Sequence, residues 1–336
     1  MRVGLNPQKD VPHGESPYDH QVILPVYIPT LQGYFAESAE ILKLCIDSLT
    51  TTINNKTFIT IVNNGSCIEI ATYLDDLLKK NLIHELIHTE NIGKLNAIIK
   101  GLAGNNIPLV TISDADTLFV SGWQQATVAV FNKIPKAGIV GLVPQMKTFR
   151  YNCGNVICDN LFNKKMQFMP IADSDAMVKY YDSIGWDRNY NHDRTKYSLG
   201  IASDGIQVIV GSGHFAATYR KDIFDEIKTY LGYKLGGDSE AYLDKLPLEK
   251  DYWRLTTFEN FAFHMGNIPE NWMREKITMQ ASAKDNPLKM CIKRNRINKV
   301  DYFLKNTLFY RIFKIPFIYQ QFLSLMKLPA EMRKTY

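Results

Sequence analysis

The chain has 336 residues, 46% apolar and 12% aromatic, which suits one large α/β domain with additions, or two domains, and excludes a disordered or low-complexity chain. Its net charge of +5 is unevenly held: residues 289–336 carry 11 Lys/Arg against 2 Asp/Glu, while the first 288 hold 28 basic and 32 acidic side chains. A body of net negative charge argues against a nucleic-acid enzyme, and no nucleic-acid partner is expected.

Residues 1–20 are polar and rich in Pro, Gly and His, a loosely held leader with no apolar stretch of the secretory kind. No window reaches the roughly 18 uninterrupted apolar residues of a membrane-spanning helix. The five cysteines are scattered, with Cys153 and Cys158 too isolated for a zinc pair, and read as reduced thiols of a cytoplasmic protein.

QVILPVYIP (21–29) has the pattern of a buried strand stopped by Pro29. Ile41, Leu42, Cys45, Ile46 and Leu49 give 35–52 a helical stripe. A strand (57–66), an amphipathic helix (68–82) and a short strand (83–90) follow. The segment 91–104 is a helix entered through Gly93, 107–116 a strand, 122–134 a helix and 137–145 a strand. Strands alternating with helices predict a parallel sheet with right-handed crossovers. Ligands of such sheets bind beyond the carboxyl ends of the strands. Tyr27, Asn63–Ser66, Asn91–Lys94 and Asp114–Asp116 all fall at such ends.

The pattern changes near residue 146. The stretch 146–204 is polar and aromatic without a clear period, and reads as an insertion folding over the cleft. Regularity returns over 205–227 as a strand, a Gly-rich turn and a helix.

In IPLVTISDADTLFV (107–120), two carboxylates stand at the end of a run of β-formers. They repel each other, and each loses solvation against an apolar strand. A hard divalent cation would compensate both, keeping several waters and sharing phosphate oxygens of a substrate. A solvated turn after an edge strand is the plainer alternative.

Taken in order over residues 21–267, the blocks QVILPVYIP, IVNNGS, ENIGKLNAIIKGL, LVTISDAD, GSGHFAATYRKDIF and YLGYKLGGDSEAYL resemble a family 2 glycosyltransferase of the GT-A fold. The resemblance implies an α/β, Rossmann-like, mostly parallel sheet flanked by helices. After the leader it would have a nucleotide-sugar-binding half (21–145), an acceptor-side half (146–270) containing the insertion, and a basic helical C-terminal extension (271–336). The implied reaction moves a sugar from a UDP- or GDP-linked donor to a hydroxyl of a glycan or lipid-linked acceptor, with Mn²⁺ or Mg²⁺ and with inversion. A polysaccharide or glycolipid product would follow. A retaining enzyme would share most of the same blocks. A sugar-phosphate nucleotidyltransferase and a non-catalytic nucleotide-sugar-binding protein are the further alternatives.

By the same resemblance Pro25, Val26 and Tyr27 would pack the nucleotide base. Asn64 stands where many relatives have a base-reading aspartate, and its amide can accept from a pyrimidine N–H. Gly93 and Lys94 would meet the diphosphate, Asp114 the ribose or donor sugar, and Asp116 the metal, with Asp114 beside it. Asp238 falls on the general base of inverting members, with Glu240 as understudy; Asp238 also suits a helix N-cap. His264 matches a third metal ligand, or is a core histidine among Phe261, Phe263 and Met265. Gly211 and Gly213 would let the backbone approach a bound sugar, with His214 beside the acceptor or bonded in the core.

The tail, 292–329, mixes Lys/Arg with Phe, Tyr, Ile and Leu; Leu304, Leu308 and Ile312 share a helical face that Pro316 interrupts. It fits peripheral contact with an anionic membrane at its inner, cytoplasmic face, or packing on its own domain or a second subunit.

Overall fold

A computed structural model describes residues 16–227, 237–280, 287–289 and 297–336 together with a few isolated positions, and of 237–240 the backbone alone. The first half follows the expected alternation: β1 (His20–Val26), α1 (Ser38–Thr52), β2 (Thr57–Asn64), α2 (Ile68–Lys79), β3 (Glu85–Thr89), α3 (Lys94–Leu102) and β4 (Leu109–Ser113). β1 pairs in parallel with β2 on one side and β4 on the other, and is apolar on both faces because helices cover both. It ends at Val26, short of Pro29, and carries Pro25 inside it. Pairing with β4 stops at Ile23, so Pro25 lies where one side of the strand has no ladder to break.

β5 (Thr117–Phe119), α4 (Trp123–Lys133) and β6 (Ala137–Gly141) come next. The aspartates are therefore not strand residues: β4 stops at Ser113, and Asp114–Asp116 form the turn into β5.

The segment 146–204 is more regular than its sequence. It forms α5 (Gly154–Asn160), β7 (Met166–Pro170), α6 (Ser174–Ser183) and β8 (Tyr197–Ser203). β7 and β8 extend the central sheet at one edge, while α6 reaches His264, whose ring stands beside Asp116. β9 (Ile206–Val210) and the turn after it are as expected, but the helix read from FAATYRKDIF is instead β10 (Ala216–Arg220) followed by a short 3₁₀ turn. β10 slots antiparallel between β4 and β6, where Thr218 and Tyr219 suit a strand buried on both faces.

α7 (Gly237–Lys245), β11 (Trp253–Thr257), β12 (Ala262–His264) and α8 (Asn271–Thr278) complete the body. The main sheet has ten strands in the order β3-β2-β1-β4-β10-β6-β11-β9-β8-β7; β5 and β12 pair separately. It is parallel from β3 to β4, where the strand ends converge, and mixed beyond. Among the described residues no helix is long and apolar enough to cross a membrane.

The tail packs on the protein. α9 (Lys299–Tyr302), a π-helical stretch (Phe303–Leu308) and α10 (Phe309–Phe313) run on as one rod, and α11 (Pro316–Leu325) opens on Pro316, whose missing N–H is spare at a helix start. Lys305 binds Asp159 at 2.8 Å and Asp251 at 3.2 Å, and Lys136 joins the same two carboxylates at 2.6 Å each. Alternating charges around one point hold the rod where a single exposed pair would contribute little. A Cβ on Gly154 would lie 2.5 Å from the Lys305 carbonyl, so glycine is what allows α5 and the rod to touch backbone to backbone.

Phe313 is buried and meets Phe322 edge-on with ring centroids 4.8 Å apart. Phe313→Ala is expected to cost about 3–5 kcal/mol, read as a lower midpoint in a urea titration.

Candidate active site

A cleft of about 310 Å³ opens at the carboxyl ends of β1, β2 and β4, lined among others by Pro25, Val26, Tyr27, Asn64, Lys94, Asp114 and Asp116. Each arrives by a local rule. Gly65 has φ +86°, and a Cβ there would lie 2.8 Å from the Asn91 nitrogen, so the turn after β2 presses against the loop before α3. Gly93, at φ +87°, caps α3 and brings Lys94 in as its first residue. The Lys94 ammonium pairs with the Asp114 carboxylate at the positive end of the helix.

Asn64 is buried, and its Oδ1 accepts from the Ile92 backbone N–H at 2.9 Å. Of the two side-chain amide atoms only the oxygen can accept from a backbone N–H, which assigns the amide orientation. That leaves the NH₂, a donor, for the cleft. The oxygen expected to accept from a pyrimidine N–H already meets the Ile92 N–H and, at 3.4 Å, the Thr89 hydroxyl.

Asp116 is positioned by the small β5–β12 sheet. His264 stands opposite Thr117 in that register, and the Met265 N–H donates to the Asp116 carbonyl at 2.8 Å. The imidazole Nε2 then lies 3.4 Å from Asp116 Oδ2. The Ser183 hydroxyl donates to the Tyr180 carbonyl at 2.7 Å, so its oxygen can accept from Nδ1–H of His264, 3.0 Å away. That tautomer turns the Nε2 lone pair toward Asp116. The Gly266 N–H, 3.2 Å from the same Nδ1, favours the other tautomer. Phe215 and Tyr180 meet the ring edge-on.

The Asp116 side chain is one-third exposed, yet its Oδ1 is inaccessible and has no hydrogen-bond partner. Burial holds the carboxyl above the usual aspartate range; His264 pulls it down, Asp114 pushes it up and Lys94 pulls it down again. An orphaned carboxylate oxygen beside an imidazole is a donor set that suits a divalent cation. No cluster of three or more His, Cys, Asp or Glu side chains surrounds a common point among the described residues. An ion at Asp116 and His264 would therefore draw other ligands from water or substrate oxygens.

The acceptor-side residues are less concentrated. Gly211, at φ +98°, leaves room that the Thr148 backbone fills 2.5 Å from the missing Cβ, and Gln145 lies 2.4 Å from that of Gly213. The close approaches these glycines permit are to the protein's own chain. His214 Nδ1 lies 3.1 Å from Asp244 Oδ1, which also accepts from buried Arg254 at 2.5 Å. Asp238 sits in the first turn of α7, whose Leu243 packs in the core and whose Asp244 meets His214; the side chains of Asp238 and Glu240 lie outside the described residues.

Sequence reasoning missed Ser183 and Tyr180, which lie in the stretch without period, and the Asp244–Arg254 pair; nothing in their local sequence marks them. A cavity of about 260 Å³ at the opposite end of β1 is lined by His20 and Gln124. His20 is buried, with its pKa lowered to about 3 by burial, and its ring nitrogens meet Thr111 and Gln124, so it offers no comparable chemistry.

The model of the family described as glycosyl transferase family 2 matches residues 26–227. Among solved structures, a mannosyltransferase from Pyrobaculum calidifontis, determined with GDP-Man and Mn²⁺, shares 13% identity at a TM-score of 0.45 and covers 92% of this chain and 72% of its own. S. aureus TarS shares 12% identity at a TM-score of 0.46, covering 88% of this chain and 44% of that one. Likenesses this distant say nothing about substrate. No curated protein matches the chain.

The Asp116 carboxyl has a folded-state pKa above its unfolded one, so the folded protein holds the extra proton between the two values. Stability then falls as pH rises through that window, with the whole penalty present above it. Asp116→Asn stays neutral and is expected to raise the unfolding temperature of chelator-treated protein at neutral pH by on the order of 2 °C. The gain should vanish toward the pKa of an unfolded aspartate, as a pH series of thermal melts would record.

Proposed function

We propose, on the premise that this chain belongs to glycosyl transferase family 2, that it moves a sugar from a UDP- or GDP-linked donor to a hydroxyl of a glycan or lipid-linked acceptor with inversion at the anomeric carbon. The chain is a family 2 glycosyltransferase; the GT-A assignment, donor, acceptor and stereochemistry are our reading. The observation that carries it is the convergence of the β1, β2 and β4 ends on one cleft, where Asp116 keeps a buried oxygen without a partner beside His264.

Tyr27 and Asn64 bind the base, the ring by stacking and the amide by donating an N–H to a base acceptor. Lys94 and the amino end of α3 bind the diphosphate. Asp114, held by Lys94, accepts from hydroxyls of the ribose or donor sugar. Asp116 and His264 would hold a Mn²⁺ or Mg²⁺ ion, with Asp114 beside them. When bound, such an ion supplies positive charge against the negative charge that grows on the leaving diphosphate. Asp238 takes the proton of the acceptor hydroxyl as that oxygen bonds to the anomeric carbon and the bond to the diphosphate oxygen breaks. Glu240 is the alternative base. The described cysteines are all unpaired, which suits a cytoplasmic enzyme.

Calorimetric titration with UDP, GDP and their sugars, with and without Mn²⁺, tests the donor site. Binding is expected to need the metal and to be lost in Asp116→Ala. Metal-independent binding that survives the substitution would make the aspartates structural. Asp238→Asn is expected to lower kcat by about 10²–10⁴ while leaving donor binding intact. Retained turnover with a lower melting temperature would reduce Asp238 to a helix-end role.

A further inference from the structure

The docked tail leaves a face uncovered. On a helix, residues four apart lie one above the other. Val300, Leu304, Leu308 and Ile312 make such a row along the α9–α10 rod, and they are between 40% and 66% exposed. Phe303 beside the row is exposed as well, and so, after the break that follows α10, are Ile315 and Phe317, the latter at 71%. Contacts to the body come from other positions of the rod: Lys305 in its carboxylate cluster, Tyr310 donating to the Arg150 carbonyl, and buried Phe313. Among the described residues, the row therefore stands apart from the contacts that hold the rod to the body.

Lys299, Arg311 and Lys314 are exposed along the same stretch, with Asp301 the acidic residue among them. The sequence around them is more lopsided still, with 11 basic against 2 acidic residues from Lys289 onward. A twofold contact with a second copy would set this basic patch against itself. A contiguous apolar row rimmed by cations instead complements a surface that is negative outside and hydrocarbon beneath.

We propose that the outer face of the α9–α10 rod, together with Ile315 and Phe317, docks on the surface of an anionic lipid bilayer, with the rod lying in the plane of the headgroups. Leu304, Leu308 and Ile312 enter the acyl boundary, while Arg311 and Lys314 meet the lipid charges. The α5 contact and the Lys305 cluster hold the rod against the body, so the catalytic domain is brought to the membrane in a fixed pose. This inference does not depend on the identity of the donor or on the transfer reaction.

The test is co-sedimentation of the full chain with vesicles of phosphatidylcholine alone and of phosphatidylcholine mixed about 2:1 with phosphatidylglycerol. The protein is expected to pellet with the mixed vesicles, to stay in solution with the neutral ones, and to be released by added salt. Leu304→Glu/Leu308→Glu, both exposed, is expected to lower partitioning by at least about tenfold with an unchanged melting temperature. Arg311→Ala/Lys314→Ala is expected to weaken it by about tenfold through charge alone. Equal pelleting with neutral vesicles would overturn the anionic requirement. Failure to pellet would overturn the proposal outright; a dimer by light scattering, broken by Leu304→Glu/Leu308→Glu, would then assign the face to a second copy.

Discussion

Asp116 buries one carboxylate oxygen with nothing to bond to it, a position that costs free energy in the isolated protein and that the surrounding structure must impose. It is imposed from two sides. The turn after β4 is pinned by the Asp114 N–H, which donates to the Phe215 carbonyl at 2.7 Å; the pairing of β5 with β12 fixes the other end and delivers His264. Both clamps are backbone hydrogen bonds, so the carboxylate is placed by main chain, not by its own contacts. The unfavourable burial at the candidate site is offset by the packing around it.

The same arrangement decides how the site responds to charge. The Lys94 ammonium pairs directly with Asp114, so the cation nearest the pair serves one carboxylate more than the other. Of the two aspartates, Asp116 is left with an imidazole as its closest partner. The asymmetry separates a residue suited to hydroxyl recognition from one suited to a cation.

Much of this was legible in the sequence because the first half obeys local rules. Apolar runs, helical stripes and Gly93 located β1 to β4 and the loops between them, and parallel-sheet logic placed Asn64, Lys94 and Asp114 at one edge. Legibility failed where long-range pairing decided the outcome. FAATYR became a strand because a slot between β4 and β6 was open to it, a tertiary fact that overrides local preference. The stretch 146–204 hid two strands and α6 because its strands lie at a sheet edge and its helix mixes Tyr180 and Tyr181 with charged residues. The orientation of Asn64 depends on an N–H 28 residues away, which no local pattern encodes.

β10 also has a consequence for how the chain assembles. Thr111 and Thr218, joined by a hydrogen bond across β4 and β10, are 107 residues apart. During synthesis β4 is therefore complete long before its neighbour exists, and it waits with an open hydrogen-bonding edge while a large loop remains to be closed. The aspartate turn cannot be clamped until β10 and then β12 have emerged. The cleft is thus a late product of a high-contact-order fold, and a fragment ending near residue 145 would carry the aspartates on an unpaired strand edge that invites association with other chains.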